Sequence, residues 1–284
     1  MDGLASCHTA TLHLQEVNEK YLTIPISYDD DIDELLYTNE VTHIDTLLFV
    51  DFCPSIEWLK SNVAQKFAIT VIDHHETAMK DIEKATDLHN VRTYFDMTEC
   101  GASLVHKVLF KSNKVPEIIQ YVKDRDLWKW SLPSSREVSE ALRLLVSMND
   151  VNSFNEAMKT PIKDLASIGS LLLKFTTKRV TEAITNVQHI TIEGTDVVVL
   201  NTTSYQSEIG NALCTKYNKP SATYSISTEG TVWWSFRSLD SLPPVNGLAK
   251  SLGGGGHRNA AGATTQLHNL HNVLKFNNGE QPRP

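Results

Sequence analysis

Two apolar runs that each end in an aspartate constrain this chain more than any other feature: Leu47-Leu48-Phe49-Val50-Asp51 and Val71-Ile72-Asp73-His74-His75. An unbroken apolar run suits a strand covered on both faces, as in a parallel sheet, better than a strand with one face in water. In open α/β sheets the ligand-binding groups gather where strands end and the next loops begin. Asp51 and the Asp73-His74-His75 tripeptide are therefore expected side by side at one sheet edge, offering oxygen and nitrogen donors to a common site.

The segments around these strands alternate in character, which predicts an α/β domain with a largely parallel sheet. Residues 4–21 read as a helix, Leu22 to Ser27 as a short strand and Asp29 to Leu36 as an acidic helical turn. Leu104, Val105, Val108 and Leu109 make one apolar face of a helix from Ala102 to Phe110. Pro116 suits the start of a further helix, Glu117 to Lys123, because its missing N–H costs nothing there. That helix leads into Asp124-Arg125-Asp126-Leu127-Trp128-Lys129-Trp130, and Pro133-Ser134-Ser135 reads as the loop after it.

A longer helical pattern, Asp164 to Val187, carries Leu165, Ile168, Leu172, Phe175, Val180 and Ile184 at helical spacing. Beyond it the composition turns β-branched and aromatic. Val197 to Leu200, Ala222 to Ser227 and Thr231 to Arg237 read as strands of a smaller, mixed α/β domain. The expected organisation is a first domain over 1–150, a connecting helical segment over 151–187, a second domain over 188–276 and a disordered tail over 277–284.

Composition excludes several classes of function. No apolar run reaches the roughly eighteen residues a membrane helix needs, and Met1-Asp2-Gly3 opens no signal peptide, so a cytoplasmic protein is expected. Cys7, Cys53, Cys100 and Cys214 are far apart and unpaired in pattern, which argues for reduced, mostly core thiols. The formal net charge of −8 disfavours long duplex nucleic acid, whose binding needs excess Lys and Arg, but leaves room for a small anion held by metal and local cations.

The candidate chemistry lies in two clusters. Asp51, Asp73, His74, His75 and Asp126, with Asp2 at the start, offer carboxylates and imidazoles without cysteine, a donor set that favours Mn²⁺ or Mg²⁺ over structural zinc. An isolated Asp-His-His could equally be a structural pair; the combination favours metal. The second cluster is Gly253-Gly254-Gly255-Gly256-His257-Arg258, whose amides could form an anion-binding nest, with a helix beginning after it. A flexible linker is the plainer reading of such a run, and the His-Arg-Asn-Ala-Ala-Gly that follows weighs against it. Arg237, at a strand end, is by spacing alone a surface arginine. Trp128 and Trp130 could stack a nucleobase, although core packing suits at least one of them. His268 and His271 lack acidic or thiol neighbours and read as solvent-exposed. Carboxylates at Asp29 to Asp31 suit a helix start.

With an Asp-tipped strand, an Asp-His-His strand end and a terminal Gly-Gly-Gly-Gly-His in this order, the chain resembles the DHH phosphoesterase family, including its C-terminal associated domain. Arg125-Asp126-Leu127-Trp128-Lys129-Trp130 is similar to a segment of that family's small oligoribonuclease, or nano-RNase, branch and favours Asp126 over Asp124 as ligand. The resemblance implies a two-metal, usually manganese, site in which Asp51 bridges the ions, while Asp2, His74 and Asp126 complete one shell. It further implies that Asp73 supports this shell, that His75 faces the scissile phosphate, and that Arg237, Gly255, Gly256 and His257 bind substrate. The implied activity is hydrolysis of short oligonucleotides or dinucleotides to mononucleotides; a homodimer is compatible with it.

Met1-Asp2-Gly3-Leu4 is similar only to the end of the family's first motif, whose strand, histidine and first aspartate are absent. Such a start predicts either an origin further upstream or a diverged member whose sheet lacks a central strand. Two other functions are compatible with these residues: hydrolysis of a phosphoanhydride such as pyrophosphate or polyphosphate, and nucleotide binding without catalysis.

Overall fold

The computed structural model describes residues 1–274 apart from 29, 40, 42, 87, 148 and 149, and the expected disordered tail lies outside the described residues. The chain divides into two compact units between Leu173 and Lys174.

The first unit opens with helix α1 (Asp2–Glu16) and α2 (Ile32–Thr38). A parallel sheet follows, β1 (Thr46–Val50), β2 (Ala68–Asp73) and β3 (Val91–Phe95), with α3 (Ile56–Leu59) and α4 (Glu76–Glu83) in the connections. Then come α5 (Gly101–Phe110), α6 (Glu117–Asp126), α7 (Ser135–Leu145), α8 (Val151–Met158) and the 22-residue α9 (Ile162–Ala183), which crosses the division. Strand β2 is central, in the order β1-β2-β3, and both of its faces are covered. Ile69 and Val71 pack with Leu59 and Ala64, whereas Ile72 packs with Ala10, Leu104 and Val105. That two-sided burial is the physical reason its sequence is an unbroken apolar run. A separate core joins α1 and α5 to α9 through Ala5, Ala102, Ile119, Phe154 and Leu165.

The second unit is a six-stranded mixed sheet in the order β4-β5-β6-β7-β9-β8. Its strands are β4 (Gln188–Ile192), β5 (Thr195–Asn201), β6 (Ser221–Ile226), β7 (Thr231–Arg237), β8 (Gly255–His257) and β9 (Ala260–Gln266). Helix α10 (Gln206–Tyr217) links the parallel pair β5 and β6, while α11 (Asn246–Ser251) and α12 (Leu270–Val273) follow later in the chain. Val197, Val199, Val232, Trp234 and Phe236 fill its main core.

The α/β class with a parallel sheet and a second mixed sheet is as expected; several local features differ. The first helix starts at Asp2 and stops at Glu16, short of Tyr21, because Asn18 takes a left-handed conformation (φ 57°) that ends helices. Leu22 to Ser27 form no strand. Helix α2 begins at Ile32, where the Asp31 side chain accepts from the amides of Asp33 and Glu34 and caps it. Asp29 lies outside the described residues. Helix α6 runs on to Asp126, and Ser135 opens α7 instead of prolonging a loop. The glycine run leads into a β8–β9 hairpin, not a helix: Gly253 and Gly254 donate to the carbonyls of Lys250 and Ala249 at the end of α11, and Gly255 to His257 pair with Ala260 to Gly262. Among the described residues β1 pairs with β2 alone, so its outer side has no strand beside it. The four cysteines are free thiols, buried except for the partly exposed Cys7.

Candidate functional site

Parallel pairing of Val50 with Ile72 sets Asp51 beside Asp73 at the end of the sheet. Asp51 leaves β1 with φ 54°, a conformation disfavoured for a residue with a side chain, and its amide bonds the Ile72 carbonyl at 2.9 Å. Strain of this kind persists only where surrounding structure holds it and concentrates at working sites.

Three carboxylates from three different elements converge on the imidazole of His74. Its Nε2 lies 3.1 Å from Asp51 Oδ1, 3.4 Å from Asp2 Oδ2 and 3.6 Å from Asp126 Oδ2. His74 is buried, as is Asp2 on the first turn of α1; Asp126, the last residue of α6, is partly exposed. Asp2 is fixed from afar, for its two oxygens accept from the amides of Gly101 at 2.6 Å and Ala102 at 3.0 Å. Those amides are the unsatisfied donors at the start of α5, whose positive end favours an anion. A side chain about a hundred residues away thus does the work of a helix cap.

A second group lies beside the first. Asp73 Oδ1 accepts from the His74 amide at 2.8 Å and pairs with His75 Nδ1 at 2.7 Å. Ligand atoms of Asp51, Asp73 and His75 fall within 4.8 Å of one another, and those of Asp2, His74 and Asp126 do likewise. The ring of Tyr28 stands edge-on to His75, with centroids 6.5 Å apart.

The electrostatics are those of crowded acids. Burial, then repulsion from Asp2, raises the Asp51 carboxyl to about 7 despite the nearby imidazoles. The same two causes lift Asp126 to about 6. Burial alone would lower His74, but Asp51, Asp126 and Asp2 outweigh it and hold the imidazole up at about 9. Burial would raise Asp73 too; the hydrogen bond and charge of His75 lower it instead.

These residues fit a hard divalent cation. Among the described residues, Asp73 Oδ2 is buried and has no hydrogen-bond partner, and the buried Asp51 Oδ1 has only His74 Nε2 to answer it, at 3.1 Å. Unsatisfied buried carboxylate oxygens are costly unless a cation answers them. The donor set, carboxylate with imidazole and no thiolate, suits a divalent cation with a preference for oxygen ligands.

Asp124 and Asp126 do different work. Asp124 is buried, with Oδ1 accepting from the Ser131 amide (3.0 Å) and hydroxyl (2.6 Å), and Oδ2 from the Leu132 amide (3.2 Å) and Ser135 hydroxyl (2.6 Å). With its acceptors so used, it organises the turn after α6 and leaves Asp126 to face His74. In that turn Trp128 and Trp130 meet edge to face at 5.0 Å, and the Arg136 guanidinium lies 4.4 Å from the Trp130 ring.

In the second unit, Arg237 donates to the Phe236 carbonyl (2.7 Å) and the Ser207 hydroxyl (2.6 Å), at the first turn of α10. Gly255 and His257 sit on β8 opposite Gly262 and Ala260. Gly254 has a packing duty, since a β-carbon there would lie 2.0 Å from the Gly262 carbonyl oxygen. Arg258 donates to the carbonyls of Leu239, Asp240 and Leu242 and ties down that loop. His268 and His271 are exposed, as expected.

Sequence reasoning missed Gly101, Ala102 and Glu99. Glu99 is buried and accepts from Lys107 (2.6 Å) and Ser103 (2.6 Å), with Lys123 Nζ at 2.7 Å, so it couples α5 to α6 on the approach to the site. Nothing local in the sequence marks a buried carboxylate whose partners lie up to 24 residues ahead.

No protein-family model matches the chain. An uncharacterized protein, R106, of Acanthamoeba polyphaga mimivirus is 24% identical over 260 residues, 87% of this chain, and the chain spans 60% of that relative's length. Among solved structures, RecJ in complex with Mn²⁺ from Thermus thermophilus superposes with a TM-score of 0.53 at 15% identity, over 96% of this chain and 49% of that one. Exonuclease RecJ bound to manganese gives 0.50 at 14% identity, over 96% and 85%. The chain therefore has a fold of the RecJ kind.

Proposed function

We propose that this chain is a DHH-family phosphoesterase that uses divalent metal, with manganese preferred and magnesium able to replace it, to hydrolyse short oligonucleotides or dinucleotides to mononucleotides. The observation that carries this reading is the convergence of Asp2, Asp51 and Asp126 on His74 Nε2 at 3.1–3.6 Å. The shared fold with manganese-bound RecJ supports it. In this reading residues 1–150 form the catalytic domain and 188–276 the substrate-binding domain, to which Arg237, Gly255, Gly256 and His257 contribute.

Asp2, His74 and Asp126 would hold one ion, and Asp51 would bridge to a second. Bound ions of this type would supply a Lewis acid for phosphoryl oxygens and make a bound water more acidic. The chain's own residues do the rest. Asp73 orients His75 through Nδ1 and favours its charged form, leaving the far ring nitrogen to donate to a phosphate oxygen. The amides of Gly101 and Ala102 hold and aim Asp2. The acidic net charge suits a substrate with few phosphates to neutralise.

Release of mononucleotide from a 5′-phosphorylated RNA dinucleotide in Mn²⁺, beside a His74→Ala control, tests the proposal. Turnover that the control loses is the expected result. Folded, Mn²⁺-loaded protein with no turnover on this substrate overturns it, and hydrolysis of pyrophosphate instead would point to the phosphoanhydride chemistry.

A further inference from the structure

Of the five tryptophans, Trp233 alone is exposed, at 43%. Trp234 is buried and bonded through Nε1 to Thr265 Oγ1, and Trp58 donates to Asp33. Trp128 packs on Trp130, which is itself covered by Arg136. A solitary exposed indole is a common enough sight on a protein surface. What distinguishes Trp233 is what the strand register puts around it.

Residues directly opposite in a sheet share a face, and so do alternate residues along a strand. Beyond Ser221 and Thr223, which open the first two rows on β6 and are buried, one row across this face of the second sheet reads Arg237, Ala260, His257; the next reads Ser235, Gly262, Gly255; the third reads Ser225, Trp233, Thr264. The middle row is floored by two glycines and a serine. On one side of this bare strip stand a guanidinium and an imidazole, and on the other an indole between two hydroxyls. The first and third rows are four residues apart on β7, ~14 Å at about 3.4 Å per residue. Helix α10 closes the β6 side, where Ser207 meets Arg237 and Gln206 approaches Ser225 at 3.5 Å.

We propose that Trp233 is the platform on which a nucleobase stacks, with the ribose over Ser235 and Gly262 and the phosphate toward Arg237 and His257. The inference rests on the nucleotide-hydrolase reading and deepens it by assigning the residue that recognises the base. Each base has a π-face, so an indole takes bases with little regard to sequence. The hydroxyls of Ser225 and Thr264 can meet the base edge, Arg237 supplies the positive charge a phosphate needs, and His257 can add a ring N–H donor. The strip is too narrow, and too short of cations, for a duplex.

The test is equilibrium binding of 5′-AMP and of ribose 5-phosphate to the full chain in EDTA, where no hydrolysis interferes, using the unmodified protein, Trp233→Ala and Trp233→Phe. The unmodified protein is expected to bind AMP roughly tenfold or more tightly than ribose 5-phosphate. Trp233→Ala should erase that preference while leaving ribose 5-phosphate binding unchanged, and Trp233→Phe should keep most of it. Loss of affinity for both ligands alike, an AMP affinity indifferent to Trp233, or no AMP binding at all would each overturn the proposal. The two readings fail separately: dinucleotide cleavage with Trp233-independent AMP binding sinks only this one, and Trp233-dependent binding without cleavage sinks only the phosphoesterase.

Discussion

Gly101 stands against Asp51 so closely that a β-carbon on it would lie 2.7 Å from both Cβ and Oδ1 of the aspartate. Its amide at the same time donates to Asp2 Oδ2 at 2.6 Å. One residue without a side chain therefore lets two carboxylates, from the end of β1 and the start of α1, share a site.

Gly101→Ala should push Asp51 off its position. The expected outcome is a loss of Mn²⁺ affinity on the order of 10- to 100-fold, as for other groups that orient metal ligands. The cost in stability should be about 1–3 kcal/mol from overpacking. Isothermal titration with Mn²⁺ and urea denaturation of the metal-free protein measure the two effects. Affinity equal to that of the unmodified protein would mean that Asp51 does not ligate.

Asp2 serves both the α5 amides and the site, and two substitutions separate these duties. Asp2→Asn keeps one of the two acceptors for the Gly101 and Ala102 amides, so it should cost less stability than Asp2→Ala while Mn²⁺ binding weakens. Asp2→Ala should lose metal binding and also about 0.5–2 kcal/mol of stability. Equal melting temperatures for the two variants would contradict the capping role.

The aspartates of α6 should respond in opposite senses. Asp126 is held up at about 6 by burial and by Asp2, so its charge opposes folding, and Asp126→Asn should raise the melting temperature in EDTA while abolishing turnover. Asp124 makes four hydrogen bonds to the turn after α6, and Asp124→Ala should destabilise the protein by about 1–3 kcal/mol. Thermal melts of both variants without metal settle the contrast; an Asp126→Asn protein that melts lower would refute it.

Glu99 predicts a response to acid. Burial alone would raise its pKa, but Lys107, Lys123 and Ser103 hold it at about 2. Its folded pKa lies below the unfolded value of 4.5, so its stabilisation is complete above about pH 4.5 and is lost as pH falls towards 2. Asp51 and Asp126 have the opposite sign, since their raised values favour the folded state at low pH. Urea midpoints against pH should therefore fall less steeply below pH 4.5 in Glu99→Gln than in the unmodified chain. Parallel curves would show that the two lysines do not hold the carboxylate.

The parallel sheet and the place of Asp51, Asp73 and His74 along it were legible because strand signals are local. Apolar runs announce a strand buried on both faces, and the residue that breaks the run marks its end. The preference for Asp126 over Asp124 as a ligand came from a family resemblance, and the geometry is compatible with it: Asp124 bonds Ser131, Leu132 and Ser135, whereas Asp126 Oδ2 lies 3.6 Å from His74 Nε2. The helix expected after the glycine run is not there: Gly255 to His257 pair with Ala260 to Gly262 in a hairpin, a long-range choice that four glycines leave open.

The sequence by itself determined the parallel strands β1 and β2 and that they lead into carboxylate and imidazole, since periodicity and residue type act within a few positions of the chain. Tertiary structure alone decided that Asp2 caps a helix it precedes by 99 residues, that Gly101 makes room for Asp51, and that Glu99 joins Lys107 to Lys123. It also decided that Trp233 stands exposed while Trp234, one residue on, is buried in the core. These are matters of packing and of charge brought together in space. Alternation along a strand fixes that neighbouring side chains part to opposite faces, but which face meets the core is set by the helices that come to cover it.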